Sequence, residues 1–339
     1  MTTPAVAEDT RAPRRANLFW PLAAAALVVS AAAGVALGAV PLSLGGVVNA
    51  ALGRGDADAV AIVRTLRLPR VVLAALVGAG LGTSGGALQG ALRNALAEPY
   101  LLGVSGGAAV GAVVATVLGL TSPSALPLAA FAGAALAVAL AMLVARAAGG
   151  RADPPVLLMA GVVIGAFANA AIMIALAGAT PNAVRGALWW MMGSVADADW
   201  TRAAWLALYV AVGGGVLLSR ARDIDALALG EEPAAALGVD VERASLFVFG
   251  AAALLAAATV AAAGLVGFVG LVVPHVVRGA GLRRHAQILA GSALAGAALV
   301  VAADVVARVV RAPTELPLGA VTAVVGVPFF LAQLRRRSA

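Results

Sequence analysis

Apolar runs of 16 residues or more, each nearly free of charge, recur along the chain, and ~20 such residues are what an α-helix needs to cross the hydrocarbon of a bilayer. They lie at Leu18–Val40, Val71–Leu92, Pro99–Ala145, Pro154–Val184, Ala203–Leu218, Ala244–Val277, Ala286–Ala303 and Leu316–Leu334. Two are too long for one helix. Pro99–Ala145 is expected to break near Thr121–Pro127, and Ala244–Val277 near Gly264–Gly270, leaving one full span and a shorter one ending near Pro274. Pro154–Val184 is read as a single span. The expectation is an all-α polytopic membrane protein of about ten transmembrane helices.

Composition supports the same reading. Of the 339 residues, 62% are hydrophobic and 12% charged, whereas a soluble domain carries roughly 25% charged residues. The 40 glycines fit membrane helices, where glycine is more frequent than in soluble ones. There is no cysteine, which excludes disulfides and thiolate chemistry. The net charge of +7 comes entirely from arginine, in short clusters between apolar runs. That distribution points to membrane orientation and not to nucleic acid.

Arg11, Arg14 and Arg15 precede a first run longer than the ~7–15 residues of a signal h-region. Residues 1–16 are therefore read as a disordered cytoplasmic tail, and 17–336 as one transmembrane domain. With both termini inside, eight arginines fall outside (Arg54, Arg64, Arg67, Arg70, Arg185, Arg202, Arg308 and Arg311) and the other fifteen inside. That is the direction of the positive-inside rule, on an unusually basic outer face. Trp189, Trp190, Trp200 and Trp205 sit where an interfacial aromatic belt belongs. Gly78, Gly82, Gly86 and Gly90, and likewise Gly103, Gly107 and Gly111, recur every fourth residue, which makes a smooth stripe for close helix packing.

No enzyme constellation is visible. His275 and His285 are not at metal-ligand spacing, and no GxxxxGK[ST] phosphate loop occurs, so no catalytic, metal or cofactor site is expected in this chain. If the chain serves energised transport, the motor is elsewhere or the coupling is to an ion gradient. The alternative is an ion-coupled secondary transporter of a small solute, but that class needs buried acidic residues near mid-membrane, and the spans are nearly free of Asp and Glu.

Several motifs are more specific. Arg67-Leu-Pro-Arg70 is followed by a glycine-rich span, Gln89-Gly90, Arg93-Asn94, Leu96-Ala97, Pro99 and Gly103-Val104-Ser105-x-Gly107. Trp190-Met191-Met192-Gly193, Leu227-Ala228-Leu229-Gly230-Glu231, Leu237-Gly238-Val239, the run Gly267 to His275, and Glu315-Leu316-Pro317-x-Gly319-x-x-Thr322 follow in order. From about Arg67 to Leu334 the chain resembles the FecCD-type ABC transporter permeases, which import cobalamin, ferric siderophores and haem. It departs from them at Ala95 and Leu265, where proline is usual, and at Glu98, where aspartate is common.

The resemblance implies a type II importer permease with an inverted repeat of helices two to five and seven to ten. It implies a homodimer in the bacterial plasma membrane, surrounded by membrane lipid. Two separate ATPase subunits, which bind ATP and Mg, would dock inside, and an extracytoplasmic substrate-binding protein outside.

Residue roles follow from the same likeness. The segment 220–243 reads as two short helices around a turn. It is long for a mere connection, and Leu229, Gly230, Glu231, Glu232, Ala235, Leu237 and Gly238 match an ATPase-coupling element; an ordinary loop capped by Gly238 is the alternative. Arg67 and Arg70 match a motif that meets carboxylates of the binding protein, and Arg308 and Arg311 are read as joining them, the alternative being helix-end anchors. Gln89, Asn94, Ala95 and Leu96 match a pathway constriction, or form a helix-terminating turn. Asp304 and Arg308 have the spacing of a helical ion pair. His275 is read as a packing or interfacial residue.

Overall fold

The structure, a computed structural model, describes residues 12–38, 40, 42–120, 122, 124–147 and 154–338, with side chains between 16 and 332 apart from Leu44 and Pro154. Of the expected tail, residues 1–11 lie outside the described residues and 12–16 already belong to a helix. Arg151 also lies outside them.

In chain order the helices are α1 (Ala12–Ala36), α2 (Leu44–Ala51), α3 (Ala57–Ala61), α4 (Leu68–Ala91), α5 (Val104–Val117), α6 (Ala125–Ala147), α7 (Pro154–Ala177), α8 (Pro181–Met191), α9 (Trp200–Ser219), α10 (Ala221–Leu229), α11 (Glu231–Ala236), α12 (Val241–Ala263), α13 (Val269–Gly279), α14 (His285–Val309) and α15 (Leu318–Ser338). A π-helical stretch, Ile62–Arg67, fuses α3 to α4, and a 3₁₀ turn, Pro99–Leu102, leads into α5. Among the described residues, seven helices are long and apolar enough to cross a membrane: α1, the fused α3–α4 rod, α6, α7, α9, α12 and α14. With the shorter apolar helices α5, α13 and α15 they make up the expected ten.

Two boundaries differ from expectation, each for a local reason. The run Pro154–Val184 divides, because Thr180 accepts a hydrogen bond from the N–H of Ala183 at 3.3 Å and Pro181 opens a new helix, α8. Conversely, Pro274 does not end α13, which runs on to Gly279. Proline has no N–H to offer the carbonyl four residues back, that of Gly270. The Gln89 amide nitrogen donates there instead, at 3.2 Å, and to Leu271 O at 3.1 Å.

α4 is buried along most of its length and packs against α14, α12, α13 and α9. The glycine stripes are its means of approach. A Cβ on Gly78 would lie 2.0 Å from Gly296 O, and one on Gly82 2.3 Å from Ser292 O, so this face meets the α14 backbone directly. On α5, Gly107 and Gly111 stand equally close to Gly133 O and Ala129 O of α6. In lipid, where apolar burial drives helices together weakly, such contact supplies much of the packing. The pairing of α4 with α14 has a counterpart in α12 with α6, and α5–α6 in α13–α14, the correspondence an inverted repeat requires.

Candidate functional site

Polar side chains gather at three levels of the bundle: the end where α4 begins, the middle, and the end that carries α10 and α11. At the first, α1 stops at Ala36 with its last carbonyls lacking helical partners. Arg67 turns inward from the π stretch and donates to Val35 O and Ala36 O, both at 2.8 Å, and to Val40 O. Arg308 donates to Gly34 O at 3.0 Å and Leu37 O at 3.3 Å. Together they cap α1.

Arg70 grips Asp304 with Nε and Nη2, at 3.0 and 2.9 Å to Oδ1, and Glu315 with Nη1 and Nη2 at 2.8 Å each. Asp304 is 2% exposed and also pairs with Arg308 Nε at 3.1 Å, the i,i+4 ion pair expected. A carboxylate this buried persists because two guanidiniums compensate it. Of the three expected docking cations, Arg67 is 5% exposed and Arg308 is committed to α1 and Asp304. Arg70 reaches the surface only beside Glu315, whose side chain is 40% exposed.

In the middle, the backbone between α12 and α13 is irregular, and non-helical backbone at membrane depth is tolerated only where protein satisfies it. Tyr100 Oη donates to Val266 O and accepts from Val266 N, each at 3.0 Å. Glu98 Oε1 accepts from the N–H of Phe268, at 2.9 Å, where φ is +67°. No role for Tyr100 or Glu98 was legible in the chain. The available signal was a phenol and a carboxyl within a largely apolar stretch, since such groups need partners when buried.

At the third level, α10 and α11 are the two short helices expected, joined at Gly230, whose φ is +119°. α10 buries Ile224, Ala226 and Leu227. Glu231 and Glu232 occupy the first turn of α11, where the helix dipole favours anions. After Leu237, Gly238 (φ +82°) and Val239 donate to Ala235 O and Ala234 O, a Schellman ending. The pair is tied to the bundle: Asp225 Oδ1 accepts the backbone N–H of His285 at 2.8 Å and lies 2.7 Å from its Nδ1. Arg93 Nη2 stands 3.5 Å from Glu231 Oε1. Leu229 and Leu237 remain 66% exposed, and Ala235 is exposed as well.

The constriction residues separate. Gln89 is buried and accepts from Arg278 Nη1 through Oε1, so it ties α4 to α13. Asn94 Oδ1 accepts the N–H of Leu96 at 2.9 Å, the helix-terminating turn; Ala95 is partly exposed and Leu96 is 48% exposed. His275 packs edge-on against Phe329. Among the described residues no three His, Asp or Glu side chains converge as a metal would require.

Residues 26–336 match the FecCD transport family. The chain belongs to that family. A cobalamin import system permease of Halobacterium salinarum is 40% identical over 280 residues, covering 81% of this chain and 74% of that protein. An Fe(3+)-citrate import system permease of Bacillus subtilis is 34% identical over 329 residues, covering 97% and 98%. A solved structure described as an inward-facing conformation of a metal-chelate type ABC transporter superposes with a TM-score of 0.84 at 28% identity, covering 94% of this chain and 99% of that one. With seven helices fit to span a bilayer among its described residues, this FecCD chain is a multi-pass membrane protein.

Proposed function

We propose that the chain is the permease subunit of an ATP-driven importer for a metal chelate, with two copies enclosing the pathway and two ATPase subunits seated on α10–α11. The observation that carries this is the exposed apolar pair Leu229 and Leu237, on a segment that is itself fastened to α14 through Asp225. Such a segment offers a partner an apolar knob and a rigid link to the spanning helices. Its end is read as cytoplasmic, and the Arg70 end as the outer face.

There, a binding protein's carboxylates would meet Arg70 beside Glu315, flanked by the exposed Arg54, Arg64 and Arg311. Cobalamin, ferric siderophore and haem all remain within the substrate class, and Leu96 is the candidate constriction. Asp304 gives no support to ion coupling, since both its oxygens are already engaged by Arg70 and Arg308.

Leu237→Glu tests the reading better than a change at Gly238, where the left-handed backbone strains any other residue. In reconstituted complexes the variant should keep its thermal midpoint, because Leu237 is exposed, while uptake per ATP hydrolysed falls at least tenfold. Wild-type coupling in Leu237→Glu would refute the assignment.

A further inference from the structure

The α10–α11 end contains a second feature that the coupling role does not use. Between the ends of α4 and α13, the start of α14 and the exposed Ala228 lies a cleft of about 390 Å³, lined in part by Gln89, Arg93, Ala95, His275, Arg278 and His285. Its composition is unlike that of the larger crevice between α1, α13, α14 and α15, whose walls are almost wholly aliphatic and aromatic.

Arg278 is half-buried on the cleft wall. Its polar contact among the described residues is one neutral acceptor, Gln89 Oε1, which leaves most of its five N–H donors unengaged and its charge without a carboxylate. Gln89 cannot turn away to relax this, since its own amide nitrogen is held by Gly270 O and Leu271 O. One nitrogen of the guanidinium is thereby tied to α4.

Arg93 supplies a second cation. It stands in the left-handed conformation, φ +52°, where glycine is usual at the end of a Schellman turn; Arg93 N donates to Gly90 O and Asn94 N to Gln89 O. Its ion pair with Glu231 is long, 3.5 Å, and both side chains are largely exposed, so an incoming anion can compete for it. The nearby Asp225 is engaged by the N–H and ring of His285 and does not reach Arg278 within ion-pair distance.

We infer that this cleft binds a small oxyanion, a carboxylate or a phosphate, at the guanidinium of Arg278, with Arg93 in the cleft's lining as a second cation. Paired oxygens suit a guanidinium fork, and the partly enclosed site strengthens charge-assisted hydrogen bonds relative to open water. The carboxylates of a small solute and free phosphate share this chemistry. The inference goes beyond the importer reading, since it needs neither an ATPase nor a chelate.

The full chain in nanodiscs is titrated calorimetrically with citrate and with inorganic phosphate at constant ionic strength, with chloride as the reference. Saturable binding is expected, at least tenfold weaker in Arg278→Gln and intermediate in Arg278→Lys, with Arg220→Gln unchanged as a control for general surface charge. Tighter citrate identifies a carboxylate solute as the ligand class, and tighter phosphate a phosphate. Because Arg278→Gln could disturb the α4–α13 tie, wild-type protein is also treated with phenylglyoxal. The bound anion should slow modification of Arg278 and Arg93, read by peptide mass spectrometry, and leave Arg220 unaffected. Absence of saturable binding by either anion, or equal modification of Arg278 with and without anion, overturns the proposal.

Discussion

The Tyr100 hydroxyl holds both polar groups of one peptide residue, Val266, and no other group on Tyr100 can replace it. Tyr100→Phe keeps the ring and leaves that N–H and C=O without their partner away from water, at a cost of ~1–3 kcal/mol. A lower thermal midpoint in detergent, with unchanged helical circular dichroism, is expected.

Helix α1 illustrates how an element is secured by a side chain from another. Its terminal carbonyls accept from Arg67 and Arg308, which come from the π stretch before α4 and from α14. Arg67→Gln shortens the reach and removes the charge, and hydrogen bonds to charged groups are worth ~1.5–3 kcal/mol each in this setting. The end of α1 should fray while the α4–α14 core persists. Because the chain has no cysteine, a single Leu37→Cys reports this cleanly: maleimide labelling should be several-fold faster in the Arg67→Gln background. Equal rates would mean that Arg308 alone suffices. Charge reversal at Arg67 is accordingly a poor probe of binding-protein docking, since it would unseat α1; the exposed Arg64 and Arg311 are the better positions.

Across the whole molecule, the fused α3–α4 rod and α14 run antiparallel through the centre, and the direction of each remaining helix follows from its connections. Reporter fusions at Ser122, Asp197 and Pro313 should register on the outer side, and fusions at Asp225 and Arg283 on the cytoplasmic side. Arg151, outside the described residues, should join the latter. One reversed signal would break the ten-helix arrangement, because an odd number of crossings would then separate sites that the chain connects by an even number.

Much of this was legible in the residues alone because its causes are local. Apolar runs set the ten helices, the change near Gly264 sets off the short α13, and Gly230 and Gly238 mark the limits of α11. The four-residue glycine spacing announced a smooth face, although only packing showed that α14 occupies it. What the tertiary structure decided is where polar groups find partners. Glu98 and Phe268 are separated by 170 residues, Arg70 and Glu315 by 245, and no local pattern relates them. Arg67 looked like a surface cation because its neighbours in sequence are a basic, membrane-edge motif. In the fold it faces the carbonyl end of α1, which had lost its own donors, and in a medium without water those carbonyls determine where the guanidinium goes.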